Sequence, residues 1–223
     1  MAAKKYYGVK KGKITGVFKS WEECKQSVEG YPGAEYKGFA TYNEACEYLG
    51  IDGQNYAAKV RGALSQADSL LTYVDGSYDD SIKKYAFGCV FILPDGKIYV
   101  EYGNGDNPQS LQHRNVTGEM LGAMYAVKTA MLNGYKAIEL CYDYEGVEKW
   151  VTGEWRSKTE LTQKYAKAMR EWGHSIRISF IKVTAHSNIK YNELADKLAK
   201  KGLTEGKGVP KVRMLDELQL WSE

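Results

Sequence analysis

Three acidic residues of this 223-residue chain sit where an element of secondary structure should end or begin, and a fourth lies within a helix. Asp75 follows the apolar run LLTYV, Asp143 ends AIELCY, Glu119 opens a long helical stripe, and Asp196 lies inside the last expected helix. Carboxylates buried together are costly unless a cation neutralises them. Four converging acids with few histidines nearby point to a hard, oxygen-preferring ion, Mg²⁺ with Mn²⁺ as its substitute. Two such ions about 3.5–4 Å apart form the usual clamp for in-line attack on a phosphodiester. Each acid alone also has an ordinary structural reading. Asp75 can cap a turn, Glu119 suits the positive end of a helix dipole, and Asp196 can be a surface charge. Spacing by itself does not establish that the four meet.

The elements that must position these acids follow from periodicity. LLTYVDGS, YAFGCVFIL and KIYVEYGN predict three strands, the last two joined by the Pro94-Asp95-Gly96 turn. Apolar residues at 120, 121, 124, 127, 131 and 132 form a helical stripe that Gly134 ends. AIELCYD predicts a short buried strand, YEGVEKWVTG and TELTQKYAKAMREWG two helices, SIRISFIKV a strand, and YNELADKLAKKG a final helix. The order is that of an α/β domain with a mixed sheet and flanking helices, spanning 70–203. The segment 204–223 begins Gly-rich and ends in MLDELQLW, which predicts a docked amphipathic turn in a C-terminal tail.

The first fifty residues predict a separate small α+β domain over 4–50. KKYYGVKKG and KITGVFKS are strands, Ser20 with Glu23 caps a helix through WEECKQSV, AEYKGFA is a strand, and Thr41 with Glu44 caps a second helix. Residues 51–69 lack strong periodicity and are expected to be a linker.

Composition narrows the class. A hydrophobic fraction of 43% excludes global disorder, and no stretch is long and apolar enough to span a bilayer. MAAKKYYGVKKGK has neither the apolar core nor the cleavage site of a secretory signal, so a soluble cytoplasmic protein is expected. The four cysteines, Cys24, Cys46, Cys89 and Cys141, are scattered and form no CxxC pair. They are expected to be small buried thiols in a reducing compartment rather than zinc ligands. Net charge is only +3, but residues 1–20 hold six lysines and no acid. That cluster could steer a polyanion, or be an ordinary solvated surface.

Four motifs in order give the stretch from Leu70 to Leu203 a family resemblance. VDGS stands at 74–77, RNVTGEM contains Glu119, LCYDYEG contains Asp143, and HSNIKYNELADKLAKKG supplies His186, Asn192, Glu193 and Asp196. Together they resemble a type 1 ribonuclease H domain, a ribonuclease H-like fold with a mixed five-stranded sheet and flanking helices. The resemblance implies an endoribonuclease that hydrolyses the RNA strand of RNA–DNA hybrids with two metal ions, leaving 5′-phosphate and 3′-hydroxyl ends. By it, Asp75 bridges both ions, Asp196 holds the ion that activates water, and Glu119 and Asp143 hold the ion beside the leaving oxygen. His186 assists proton transfer or product release from a loop, Glu193 lies near the second ion, and Gly76, Ser77 and Asn115 contact substrate. A solvated loop histidine is the plain alternative for His186, although an unperturbed imidazole titrates near pH 6.5 and suits a proton shuttle.

The chain departs from that pattern in places. YDDSIKKYAFG replaces a Gly-rich turn after the first acid, Tyr144 and Glu145 follow Asp143, Val116 stands where a polar residue is common, and RSKTELTQKY is too short for a basic protrusion. Substrate grip is then expected from the N-terminal module. Its pattern YYGVKKGKITGVFKSWEEC…AEYKGFATYNEA resembles the hybrid-binding domain of eukaryotic-type ribonucleases H, shared with caulimovirus viroplasmins. The resemblance implies Tyr7, Trp21 and Phe39 as the aromatics and Lys10, Lys11 and Lys37 as phosphate-facing cations, with Gly38 where a second lysine is common. Core aromatics with solvated lysines are the alternative, one that fits Phe39 better than Trp21. The expected partner is an RNA–DNA hybrid, with duplex RNA a second candidate for the N-terminal domain, no membrane, and a monomeric state. Two rival functions are a non-catalytic hybrid- or duplex-RNA-binding protein and another nuclease of the same fold, such as an integrase or resolvase. The complete acidic quartet disfavours the first, and the Asp-Gly-Ser and His…Asn-Glu-x-x-Asp pair the second.

Overall fold

The computed structural model describes residues 6–13, 15–18, 20–40, 42–49, 68–183 and 189–222. Residues 51–67 of the linker expected over 51–69, the Thr41 cap and the loop carrying His186 lie outside these residues, as does the side chain of Cys46, and Ser69 already belongs to a strand. The chain divides into two compact units, 1–63 and 64–223.

In the N-terminal unit, β1 (Tyr6–Lys11) is the centre of an antiparallel sheet between β2 (Gly16–Phe18) and β3 (Glu35–Phe39). α1 (Trp21–Val28) starts where the sequence predicts, with the Ser20 hydroxyl accepting from the Glu23 amide at 3.2 Å. Val9, Cys24 and Val28 form its small core. α2 (Tyr42–Leu49) lies against the opposite face of β1, where a Cβ on Gly8 would come within 3.2 Å of the Ala45 carbonyl.

The C-terminal unit is built on a mixed six-stranded sheet. A long hairpin of β4 (Ser69–Asp79) and β5 (Lys84–Ile92) continues into β6 (Ile98–Gly105). β7 (Ala137–Tyr142) joins β4 in parallel, and β8 (Arg177–Lys182) joins β7 in parallel. α3 (Pro108–Leu111) is a single turn, followed by α4 (Asn115–Leu132), α5 (Gly146–Thr152), α6 (Glu160–Trp172) and α7 (Lys190–Glu205). Five of the six strands are those expected. The sixth, β9 (Gln219–Leu220), comes from the segment expected as a tail and pairs with the outer edge of β6.

Alternation along β5 shows how the layers are arranged. Cys89 points to α4, its thiol 3.5 Å from the Gly122 carbonyl, whereas Gly88 faces α7 so closely that a Cβ would stand 2.3 Å from the Ala195 carbonyl. On the α4 side Leu70, Val74, Phe87, Phe91, Ile138, Leu140, Tyr142 and Met169 are fully buried in the main core. Cys24, Cys89 and Cys141 are buried thiols outside any disulfide.

The first turn of α4 touches the sheet backbone to backbone. A Cβ on Gly118 would lie 2.1 Å from the Ala86 carbonyl and 2.8 Å from the Gly76 Cα, and one on Gly76 would lie 2.3 Å from the Glu119 amide. Gly118→Ala and Gly76→Ala should therefore each destabilise by about 1–3 kcal/mol, as overpacking does. Gly122→Ala, with no contact under 3.4 Å, should be neutral or should stabilise by up to about 1 kcal/mol through helix propensity. Urea unfolding of the three variants checks the contrast.

Candidate active site

The close approach of Gly76 and Gly118 matters because each neighbours an acid. Asp75 precedes Gly76 on β4, and Glu119 follows Gly118 on α4. The third acid comes from a parting of strands. β7 runs beside β4 as far as the pair Tyr73 and Cys141 and ends at Tyr142, while β4 continues to Asp79 against β5. Asp143 thus leaves the sheet level with Asp75. In open α/β sheets such partings at the carboxyl ends of strands are where sites form.

Asp75, Glu119 and Asp143 each present a carboxylate oxygen within 4.8 Å of the others. Asp75 is 8% exposed and Glu119 only 2%. Burial is the main cause that raises the Asp75 pKa from 3.8 to about 6; a hydrogen bond with Glu119 opposes the shift, and the charges of Asp143 and Asp196 add to it. Glu119 is pushed well above the usual carboxylate range by burial first, then by the charges of Asp75 and Asp143. The Tyr144 and Tyr165 phenols are likewise raised by burial, with Glu119 adding to each.

Asp196, the fourth expected acid, lies outside this triplet. It stands half-buried on α7 with Oδ2 accepting from Lys200 at 2.7 Å, one helical turn on, although its charge still bears on Asp75. Gly76, Ser77 and Glu193 are half-buried and Asn115 is exposed. Val116 packs against the core, which accounts for an apolar residue there. Glu145 accepts from both Lys149 and Lys182, the latter at 2.7 Å, and these bonds hold its carboxyl at about 2. Glu145, two residues after Asp143, is therefore part of a clamp between α5 and β8 rather than a free polar contact. Sequence reasoning missed Gly118; the small residue directly before Glu119 was the available signal. It also missed Arg114, held at φ 51° immediately before α4, with its guanidinium 6.0 Å from the Tyr78 ring.

The donor set fits a divalent cation. It is all oxygen, Glu119 Oε2 is buried without a hydrogen-bond partner, and among the described residues no lysine or arginine pairs with Asp75, Glu119 or Asp143. The triplet could hold such an ion, and Asp196 stands near enough to Asp75 to share in its field.

In the N-terminal unit the six expected contact residues do not share a face. Tyr7 and Trp21 lie together at 5.6 Å between ring centroids, and Tyr36, not anticipated, extends the patch at 5.8 Å from Trp21. Trp21 and Tyr36 are 40% and 44% exposed. Phe39 instead packs on Tyr48 of α2, and Lys10 and Lys37 lie over the Tyr48 and Phe39 rings at 4.3 and 5.6 Å. Lys11 is ion-paired with Glu35. Strand alternation is the reason: Tyr7 and Val9 face α1, so Gly8 and Lys10 must face α2.

An α/β fold that brings acids from β4, α4 and the end of β7 together offers a donor set suited to a divalent cation, and comparison gives the class. The RNase H family matches residues 67–204, well over half the chain, so the chain belongs to that family and is a ribonuclease H enzyme. Residues 5–49 match the Ribonuclease H1 N-terminal domain. Ribonuclease H1 of Rattus norvegicus is 26% identical over 261 residues, covering 91% of this chain and 90% of that protein. Ribonuclease H of Saccharomyces cerevisiae is 49% identical over 45 residues, 20% of this chain and 13% of that one. The crystal structure of RNase H1 from Halobacterium salinarum superposes with a TM-score of 0.52 and 26% identity, over 60% of this chain and 97% of that one.

The electrostatics carry a pH prediction. With its pKa raised to about 6, Asp75 keeps a proton in the metal-free folded state that the unfolded chain, near 3.8, has already released. Its contribution is fully present below about pH 4 and is lost as pH rises through about 6. The shift corresponds to on the order of 3 kcal/mol. In chelator, Asp75→Asn should match the wild type in melting temperature near pH 4 and exceed it at pH 7. An advantage independent of pH, or none, would argue against clustered acids.

Proposed function

We propose that this enzyme hydrolyses the RNA strand of RNA–DNA hybrids with two divalent ions, Mg²⁺ or in its place Mn²⁺, leaving 5′-phosphate and 3′-hydroxyl ends. The observation that carries the reading is the meeting of buried Asp75 and Glu119 with half-buried Asp143, with an unpartnered Glu119 oxygen and, among the described residues, no lysine or arginine paired with the three. Asp75, Glu119 and Asp143 would hold one ion and Asp75 with Asp196 the other. Bound there, the ions would supply Lewis-acid stabilisation of the phosphodiester during in-line attack. The chain's own groups do the rest. β4 and α4 fix the carboxylates through the Gly76–Gly118 contact, so little reorganisation is needed when charge develops. His186 carries a proton to or from the reacting groups, and Gly76, Ser77, Asn115 and Glu193 line the approach.

Substrate would be an RNA–DNA hybrid, told from duplex DNA by its 2′-hydroxyls and near-A-form shape. The N-terminal unit would grip it through the Tyr7–Trp21–Tyr36 patch on the α1 face together with Lys10, Lys11 and Lys37, and would accept duplex RNA on the same physics. The enzyme would act as a monomer in the cytoplasm.

The test is cleavage of labelled hybrid, duplex DNA and duplex RNA by the purified chain with Mg²⁺, Mn²⁺ or chelator. Only hybrid should be cut, and only with metal. Asp75→Asn and Asp143→Asn should abolish cutting with the fold intact. His186→Ala should lower the rate by roughly ten- to a thousandfold, as loss of an acid–base group does, with metal dependence unchanged. A folded Asp75→Asn protein that cuts near the wild-type rate would overturn the reading. In an Asp75→Asn background, Trp21→Ala should weaken hybrid affinity with little change in its salt dependence. Lys10→Ala should flatten the log–log salt slope by about one unit per lost phosphate contact. Equal affinity of all three proteins across a salt series would remove the N-terminal unit from substrate binding.

A further inference from the structure

Residues 206–221 cross the sheet edge from one helix layer to the other and back. Leaving α7, the chain is tied to β6 by Asn104, whose side chain donates to the Gly202 and Gly206 carbonyls at 2.8 and 2.9 Å and accepts from the Gly208 amide at 3.0 Å. It then runs along α4, where the Tyr125 hydroxyl donates to the Lys211 carbonyl at 3.3 Å and the Asn133 side chain accepts from the Leu215 amide at 2.9 Å. Arg213 pairs with Glu101 of β6, and Leu215 and Leu218 are buried in the main core. β9 next pairs with β6 at Tyr99 and Val100, and the Trp221 amide donates to the Ile98 carbonyl at 2.8 Å.

Trp221 thereby arrives beside the first turn of α7. Its ring lies edge-on to Tyr191 at 6.5 Å between centroids, with the Lys190 ammonium 5.1 Å from the ring. Tyr191 in turn meets Tyr73 of β4 at 5.9 Å. Tyr73, Tyr191 and Trp221 form a row that links β4, α7 and the end of the segment. Tyr73 and Asp75 share a face of β4, being two residues apart, and α7 carries Glu193 and Asp196 within two turns of Tyr191. The start of α7 has no side-chain cap of its own, since Ile189 occupies the N-cap position. Something other than a cap must fix where the helix begins.

We infer that Trp221 is a positioning residue for the metal site: it pins the first turn of α7 against Tyr73 and so sets the spacing of Asp196 from Asp75. The family match ends at residue 204, so Trp221 and the segment that delivers it lie outside the matched domain. The inference rests on the proposal that Asp196 shares in metal binding. Without Trp221, the first turn of α7 loses its outer support, and the half-site on α7 must be ordered at the expense of metal affinity.

The test uses the full chain with Trp221→Ala and with Trp221→Phe, which restores a ring. Hydrogen exchange of the amides at 192–196 in metal-free protein should quicken, and the Mg²⁺ concentration for half-maximal hybrid cleavage should rise. Each should change by about three- to tenfold, the scale set by one ring contact, and Trp221→Phe should return both towards wild type. Hybrid affinity in chelator should not move. Should Trp221→Ala not fold, Trp221→Leu, which keeps apolar bulk without the ring, takes its place with the same two readings. Unchanged exchange at 192–196, or an unchanged Mg²⁺ requirement in a folded variant, overturns the inference. A wild-type chain that cuts no hybrid with any metal would instead defeat the parent proposal, and the exchange measurement would still report on the pinning.

Discussion

Mutual repulsion among buried carboxylates governs this catalytic unit. Asp75, Glu119 and Asp143 are brought within a few ångströms of one another, and among the described residues no lysine or arginine pairs with them, a configuration that protonation or a bound cation must relieve. The protein tolerates it because the backbone leaves the groups nowhere else to go. Gly118 sets the first turn of α4 on the backbone at Ala86 and Gly76, so Glu119 cannot retreat without lifting the helix from the sheet. β7 ends where Asp143 begins, which delivers that acid level with Asp75. The stabilisation lost to repulsion is carried by the rest of the unit, where α4 lies on a core of fully buried residues from β4, β5, β7 and α6. Strain at a site supported by packing elsewhere is the general pattern for functional positions.

Much of the fold was legible because its signals are local. The apolar run LLTYV, the alternation of SIRISFIKV, the turn at Pro94-Asp95-Gly96 and the stripe from Met120 to Leu132 all became the elements they predicted. What was not legible depends on distant partners. β9 is two residues long and has no periodicity; only the open edge of β6 makes Gln219 and Leu220 a strand. α4 starts at Asn115, three residues before Gly118, after a residue with φ 51° that no propensity would select. β4 runs on to Asp79 because the polar stretch YDDSIKK makes a tight turn between long strands, not a loop.

The site was legible to a different degree in each unit. In the catalytic unit residue types alone suggested metal chemistry, but convergence of the acids needed the resemblance, and Asp196 was then found bonded to Lys200 one turn away. In the N-terminal unit the residue types were also suggestive, but which of them lie together was not legible. A list of aromatics and lysines does not say which face each occupies, and here β1 divides them between α1 and α2. Tyr36 went unnoticed because its contribution comes only from standing opposite Val9 in the register, next to Trp21.

The path of residues 206–221 around the β6 edge also orders events during synthesis. The contacts of the N-terminal unit lie within some fifty residues of sequence, and it can close early. The catalytic unit cannot. Leu215 and Leu218 belong to the core that β4 begins, and β9 is the strand that covers the sheet edge, yet these residues leave the ribosome after every other element of the unit. Contacts between chain segments so far apart are slow to form. Until then the nascent domain carries an uncovered strand edge and an unfilled core, the state in which a chain is most open to chaperones and to wrong partners.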